Sequence, residues 1–112
     1  MKISIIIVSY NVSAYLEKCI DSIYKSDDFK DLEIIVIDNN SSDESVSIVR
    51  NKFPDCILIH NSQNLGFSKA VNIGIRQSTS DYICILNPDT LVKKDTFSEL
   101  YRFLSVSANT GI

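Results

Sequence analysis

The sequence predicts a largely parallel α/β sheet with helices on both faces, and three observations carry that expectation. Short runs rich in β-branched residues alternate with stretches of helical apolar spacing along all 112 residues. The first runs are apolar at nearly every position, as strands covered on both faces must be. Polar turns rich in Asn, Asp and Ser follow each run, where a strand hands over to a crossover helix. Such alternation implies right-handed connections between parallel strands.

Ile3 to Ser9 (ISIIIVS) reads as the first strand. Asn11 or Ser13 is placed to cap a helix in which Leu16, Cys19, Ile20, Ile23 and Tyr24 recur at three- and four-residue steps, giving one apolar stripe. The polar stretch Ser26 to Asp31 ends that helix, and Leu32 to Ile37 (LEIIVI) forms a second buried strand closed by Asp38. Ser41, Ser42 and Asp43 are capping residues for a short helix carrying Val46, Val49 and Phe53, which Pro54 stops. Cys56 to Ile59 is the third strand, Phe67 to Arg76 the third helix, with Ala70, Val71, Ile73 and Gly74 on its apolar face, and Tyr82 to Leu86 (YICIL) the fourth strand. A last helix runs from Asp95 through Phe97, Leu100, Tyr101 and Leu104.

Composition excludes several function classes. Eleven basic against fourteen acidic residues give a net charge of −3, with no Lys/Arg cluster, so nucleic acid is not an expected partner. No stretch approaches the roughly 18 apolar residues of a membrane span. Ile5 to Val8 is too short for a signal-peptide core. Cys19, Cys56 and Cys84 lack metal spacing and sit among apolar neighbours. They read as buried thiols in a protein of the reducing cytoplasm.

In a parallel α/β sheet, ligands bind beyond the carboxyl ends of the strands, near the point where strand order reverses. Four turns are expected to gather there: Tyr10-Asn11, Asp38-Asn39-Asn40, Asn61 to Gly66, and Asn87 to Thr90. Helix capping alone would account for part of their Asn and Asp content.

The blocks SIIIVSYN, EIIVIDNNSSD, NSQNLGFSKAVNIGI and DYICILNPDT occur in the order and spacing of glycosyltransferase family 2, and the resemblance covers essentially the whole chain. It is closest to bacterial members resembling rhamnosyltransferases, whose metal motif also reads NPD followed by Thr. The resemblance implies a GT-A fold and transfer of a sugar from a UDP- or dTDP-linked donor, with inversion and with Mg2+ or Mn2+ as cofactor. The implied acceptor is a saccharide or lipid-linked molecule in bacterial cell-surface polysaccharide synthesis. Peripheral membrane association of the full-length protein is compatible with that role.

By the same resemblance, Tyr10 lies beside the nucleobase, where a phenol ring offers its face to a pyrimidine; the alternative is core packing. Asp38 matches the acid that accepts the pyrimidine N3–H, with a cap for the following turn as the alternative. Asp89 matches the second acid of the DxD motif and would hold the cation that grips the diphosphate; the alternative is an Asn-Pro-Asp turn with no ligand. Asn87 stands where the first acid usually lies, and would contact the ribose or shape the turn. Gly66 opens a helix whose free amides could face phosphate, with a simple loop-to-helix junction as the equal alternative. Lys69 reads as a solvated lysine, Asn72 as a residue ordering nearby loops, and His60 as structural. Asn39 and Asn40 read as turn formers.

An inverting transfer needs a base to deprotonate the acceptor, and the family places that acid downstream of the metal motif. No acid here matches it, so the base is expected beyond Ile112. Residues 1–112 then form the donor-binding half of a GT-A domain whose acceptor-binding half is absent. On its own such a chain is expected to be inactive, and the apolar faces of its last strand and helix leave self-association open. The competing class is a non-catalytic nucleotide-binding or assembly module of the same fold. A phospho-receiver domain fits poorly, because no acidic pair follows the first strand.

Overall fold

The β-branched run near the start of the chain becomes an interior strand of the sheet. In a computed structural model, which describes residues 2–27, 29–100 and 102, β1 (Ile3–Ser9) pairs in parallel with β2 (Leu32–Asp38) on one side and β4 (Tyr82–Ile85) on the other. β3 (Ile57–His60) adds in parallel to the outer side of β2, giving the order β3-β2-β1-β4. The third strand starts and ends one residue later than its periodicity indicates, and the fourth ends one residue earlier, at Ile85.

The near-continuous apolarity of β1 and β2 is explained by cover on both faces. Ile3, Ile5 and Ile7 with Ile34 and Val36 pack against Leu16, Cys19, Ile20 and Ile23 of α1 (Ser13–Tyr24) and Val49 of α2 (Ser45–Lys52). Ile6, Ile35 and Ile37 face the other way, onto Ala70 of α3 (Phe67–Gln77). Each isoleucine so buried contributes about 1.5–3 kcal/mol. α3 lies close to β1: a Cβ at Gly74 would stand 2.8 Å from Ile6 Cγ2.

Two features were not legible in the sequence. A short 3-10 turn, Phe29–Asp31, occupies part of the polar stretch before β2, with Phe29 stacked on Tyr24 at 5.7 Å between ring centroids. The last helix is not left with an uncovered apolar face: residues 96–100 are helical, Phe97 is 1% exposed, and Phe97 and Leu100 join the core on the α1 side. The expected continuation through Tyr101 and Leu104 lies outside the described residues. On β4, Ile83 and Ile85 do remain exposed, because α3 sits over β1 and β2.

The connections set the position of the site. From β1 the chain steps outward through β2 to β3, and α3 then carries it back to β4 on the opposite side of β1. The strand order therefore reverses between β1 and β4, and the crevice lies over their carboxyl ends.

Candidate functional site

Register aligns the site. Ser9, Asp38 and His60 stand in one row across β1, β2 and β3. Ser9 and Asp38 are buried, and the Ser9 hydroxyl has no hydrogen-bond partner among the described residues. Tyr10 follows immediately and is 49% exposed, which removes core packing as the account of this tyrosine.

The loops beyond these strands are tied together by side chains about thirty residues apart. Asp38 is 1% exposed; its carboxylate accepts hydrogen bonds from the Ser41 amide (2.8 Å) and hydroxyl (2.6 Å), and His60 Nε2 lies 3.9 Å away. Asn11 takes up positive φ, which Asn tolerates better than most residues. Its amide then donates to Ser41 Oγ, while its side-chain oxygen accepts from the Ser42 amide. Neither Asn11 nor Ser13 caps α1 through its side chain. The cap comes from the neighbouring loop, where Asp43 accepts from the Ser13 amide at 3.0 Å as well as from Ser45 at the start of α2. Burial would raise the Asp43 carboxyl, but the bonds from Ser45 and Ser13 outweigh it and hold the group below its usual range.

The Asn39 side chain ties three positions of the rim together. It is 3% exposed, accepts from Asn61 Nδ2 (3.0 Å) and the Leu65 amide (3.4 Å), and donates to the Gly66 carbonyl (3.2 Å). The turn-former reading of Asn39 and Asn40 holds, with Asn40 at φ 66°, but the role of Asn39 reaches further: it fixes the entry to α3. Gly66 starts that helix at φ 82° and ψ 174°, a conformation essentially confined to glycine. The Asn72 side chain is exposed and hydrogen-bonds to no described residue, so loop ordering falls to Asn39 instead. Lys69 is exposed, as expected.

The fourth loop is a tight turn. The Thr90 amide donates to the Asn87 carbonyl at 3.0 Å, with Pro88 and Asp89 at its corners, and Leu86 N–H to the Ile6 carbonyl anchors it to β1. Asn87 and Asp89 are exposed. Beneath them the Cys19 thiol, fully buried, lies 3.8 Å from the Asn87 carbonyl. Burial, and after it the negative charge of Asp89, push this thiol up to about 11, so it stays protonated. Cys56 and Cys84 are likewise raised by burial and are half-buried free thiols.

Among the described residues no three His, Cys, Asp or Glu side chains cluster as a protein-only metal cage. Asp89 alone, an exposed carboxylate with no hydrogen-bond partner among the described residues, suits a hard cation that takes its remaining oxygens from a diphosphate and water. Of the two exposed side chains of this turn, the Asp89 carboxylate is the one whose chemistry suits Mg2+ or Mn2+.

A parallel α/β sheet with polar loops converging over its switch point places a ligand-binding crevice at the carboxyl ends of β1 and β4. Residues 4–110 match the model described as Glycosyl transferase family 2, and the chain belongs to that family. It is 39% identical over 114 residues to the GalNAc(5)-diNAcBac-PP-undecaprenol beta-1,3-glucosyltransferase of Campylobacter jejuni, a match covering 98% of this chain and 35% of that protein. Among solved structures it resembles S. aureus TarS 1-349 in complex with UDP-GlcNAc (TM-score 0.84, 25% identity, 94% of this chain and 31% of that one). It also resembles the mannosyltransferase PcManGT of Pyrobaculum calidifontis in complex with GDP-Man and Mn2+ (TM-score 0.82, 28% identity, 92% of this chain and 32% of that one). The fold is of the GT-A type, as the motifs imply. The chain spans 12% to 35% of the length of the first curated relatives it matches. No helix of the described residues is long and apolar enough to cross a membrane.

Proposed function

We propose that this chain binds the UDP- or dTDP-linked sugar donor of an inverting glycosyltransferase. In this reading it works in the cytoplasm, on a saccharide or lipid-linked acceptor, in bacterial cell-surface polysaccharide synthesis. The observation that carries the reading is the placement of Tyr10, Asp38 and Asp89 at the carboxyl ends of three adjacent parallel strands astride the switch point. The undecaprenol-linked substrate in the Campylobacter relative's name supports a lipid-linked acceptor. The UDP-GlcNAc and Mn2+ of the two structural neighbours support the donor class and the metal.

Tyr10 presents its exposed ring to the base. An ionised carboxylate has about four acceptor sites, and Ser41 takes two of those on Asp38, leaving lone pairs for a uracil or thymine N3–H. Since Asp38 is 1% exposed, that contact requires the Ser41 turn to give way. Asn87 shapes the turn through its carbonyl and offers its amide to the ribose. Asp89 would hold the cation together with the diphosphate. When bound, Mg2+ or Mn2+ offsets the negative charge that the leaving diphosphate gains. This reading assigns no general base to residues 1–112.

Calorimetric titration of UDP and dTDP with and without Mn2+ tests the proposal. Tighter binding with metal is expected, lost on chelation and lost in Asp89→Ala, whose exposed side chain leaves the fold intact. Equal affinities with and without metal would instead identify a metal-independent nucleotide-binding module.

A further inference from the structure

The segment from Asn87 to Lys94 contains the Asp89 turn, is itself neither strand nor helix, and leaves β1 at the Leu86–Ile6 anchor. Three contacts from α1 and the residues just after it hold the segment beyond that anchor. The Cys19 thiol donates to the Asn87 carbonyl at 3.8 Å, the atom that also closes the Asn87–Thr90 turn. Ser22, three residues further along the helix and therefore on the same face, accepts the Val92 amide at 3.1 Å while donating to the Cys19 carbonyl at 2.7 Å. The Asp27 amide donates to the Lys94 carbonyl at 2.7 Å. The turn is thus pinned at Asn87 before Asp89 and at Val92 after it, both times to one face of α1. Among the described residues the Asp89 carboxylate has no hydrogen bond or ion pair that would orient it. Its place is inherited from those two pins.

We propose that Ser22, with Cys19, is a positioning residue for Asp89: the two side chains hold the 87–92 segment against α1 and so fix where the Asp89 carboxylate meets a cation and diphosphate. The inference rests on the metal role proposed for Asp89. Ser22 touches neither nucleotide nor metal and acts only through the turn.

The experiment measures UDP affinity with and without Mn2+ in the full chain, together with amide hydrogen exchange at Val92. Ser22→Ala leaves the Val92 N–H without its acceptor, so exchange there is expected to rise about tenfold, the equivalent of about 1.4 kcal/mol. The gain in UDP affinity on adding Mn2+ is expected to fall by about three- to tenfold, as for one lost hydrogen bond, while metal-free affinity stays within about twofold. Ser22→Thr keeps the hydroxyl and is expected to restore both readouts. In an Asp89→Ala background, Ser22→Ala is expected to have no further effect on binding in Mn2+. Val49→Ala, which loosens the core under α2 away from this turn, is expected to lower stability and leave the metal-linked gain unchanged.

If the unsubstituted chain shows no Mn2+ gain, the metal reading fails and this inference falls with it. If that gain is present and Ser22→Ala retains it in full, the inference alone is overturned. It is equally overturned if Ser22→Ala weakens binding by the same factor with and without metal, or if Val49→Ala reproduces its effect.

Discussion

Replacing Asp38 separates its two roles, since the carboxylate both organises a loop and is proposed to read the base. In Asp38→Ala, two hydrogen bonds from Ser41 to a charged acceptor are lost, each worth about 1.5–3 kcal/mol. Two effects reduce the sum. Ser41 is only half-buried, so water recovers part of the loss, and the variant no longer buries a carboxylate at 1% exposure. The expected net destabilisation is about 2–3 kcal/mol, which for a domain of this size lowers Tm by about 10–20 °C. Asp38→Asn behaves differently. Its carbonyl oxygen still accepts from the Ser41 amide, and its NH2 donates to the Ser41 hydroxyl, whose lone pairs accept, so the cost is expected to stay below about 1 kcal/mol. Urea unfolding of the three proteins measures the stability arm, and titration with UDP against a cytidine nucleotide measures the recognition arm. An Asp38→Ala variant within about 0.5 kcal/mol of the parent would refute the loop-organising argument, because surface changes without structural consequence fall in that range. Equal weakening of uridine and cytidine nucleotides in the folded Asp38→Asn variant would refute the base-reading role.

Gly66→Ala is expected to destabilise by about 1–3 kcal/mol even though a Cβ there would meet nothing within 4 Å, because the φ of 82° with extended ψ is strained for any L side chain; chemical denaturation checks it. For Glu33, burial raises the carboxyl but hydrogen bonds from Ser4 and from the Thr79 amide and hydroxyl, with Lys2 nearby, hold it below the ordinary value. The sign follows: the stability it contributes is present above the unfolded-state pKa and is lost as pH falls through the lower folded value, so Glu33→Gln is expected to flatten the acid limb of the stability profile. The Cys19 thiol, raised to about 11 and fully buried, is expected to resist iodoacetamide at neutral pH until urea unfolds the chain, which peptide mapping by mass spectrometry would show.

The sequence by itself determined the strands, the helices and the end of the sheet at which the polar loops gather. Ile3 to Ser9 and Leu32 to Ile37 declare their double-sided burial through near-continuous β-branched character, and α1 declares its buried face through Leu16, Cys19, Ile20 and Ile23, because each pattern reflects the environment of its own element. Only the tertiary structure decided which strands are neighbours and hence that the switch point lies between β1 and β4. It also decided that Asp43 caps α1 from another loop, that Asn39 reaches Asn61 and Gly66, that Ser22 holds the segment after Asp89, and that Phe97 is core while Tyr10 is not. These outcomes depend on register and packing between segments about 20 to 70 residues apart. Periodicity records whether a side chain is buried, but a hydrogen bond records a partner, and no local pattern of residues names a partner that far along the chain.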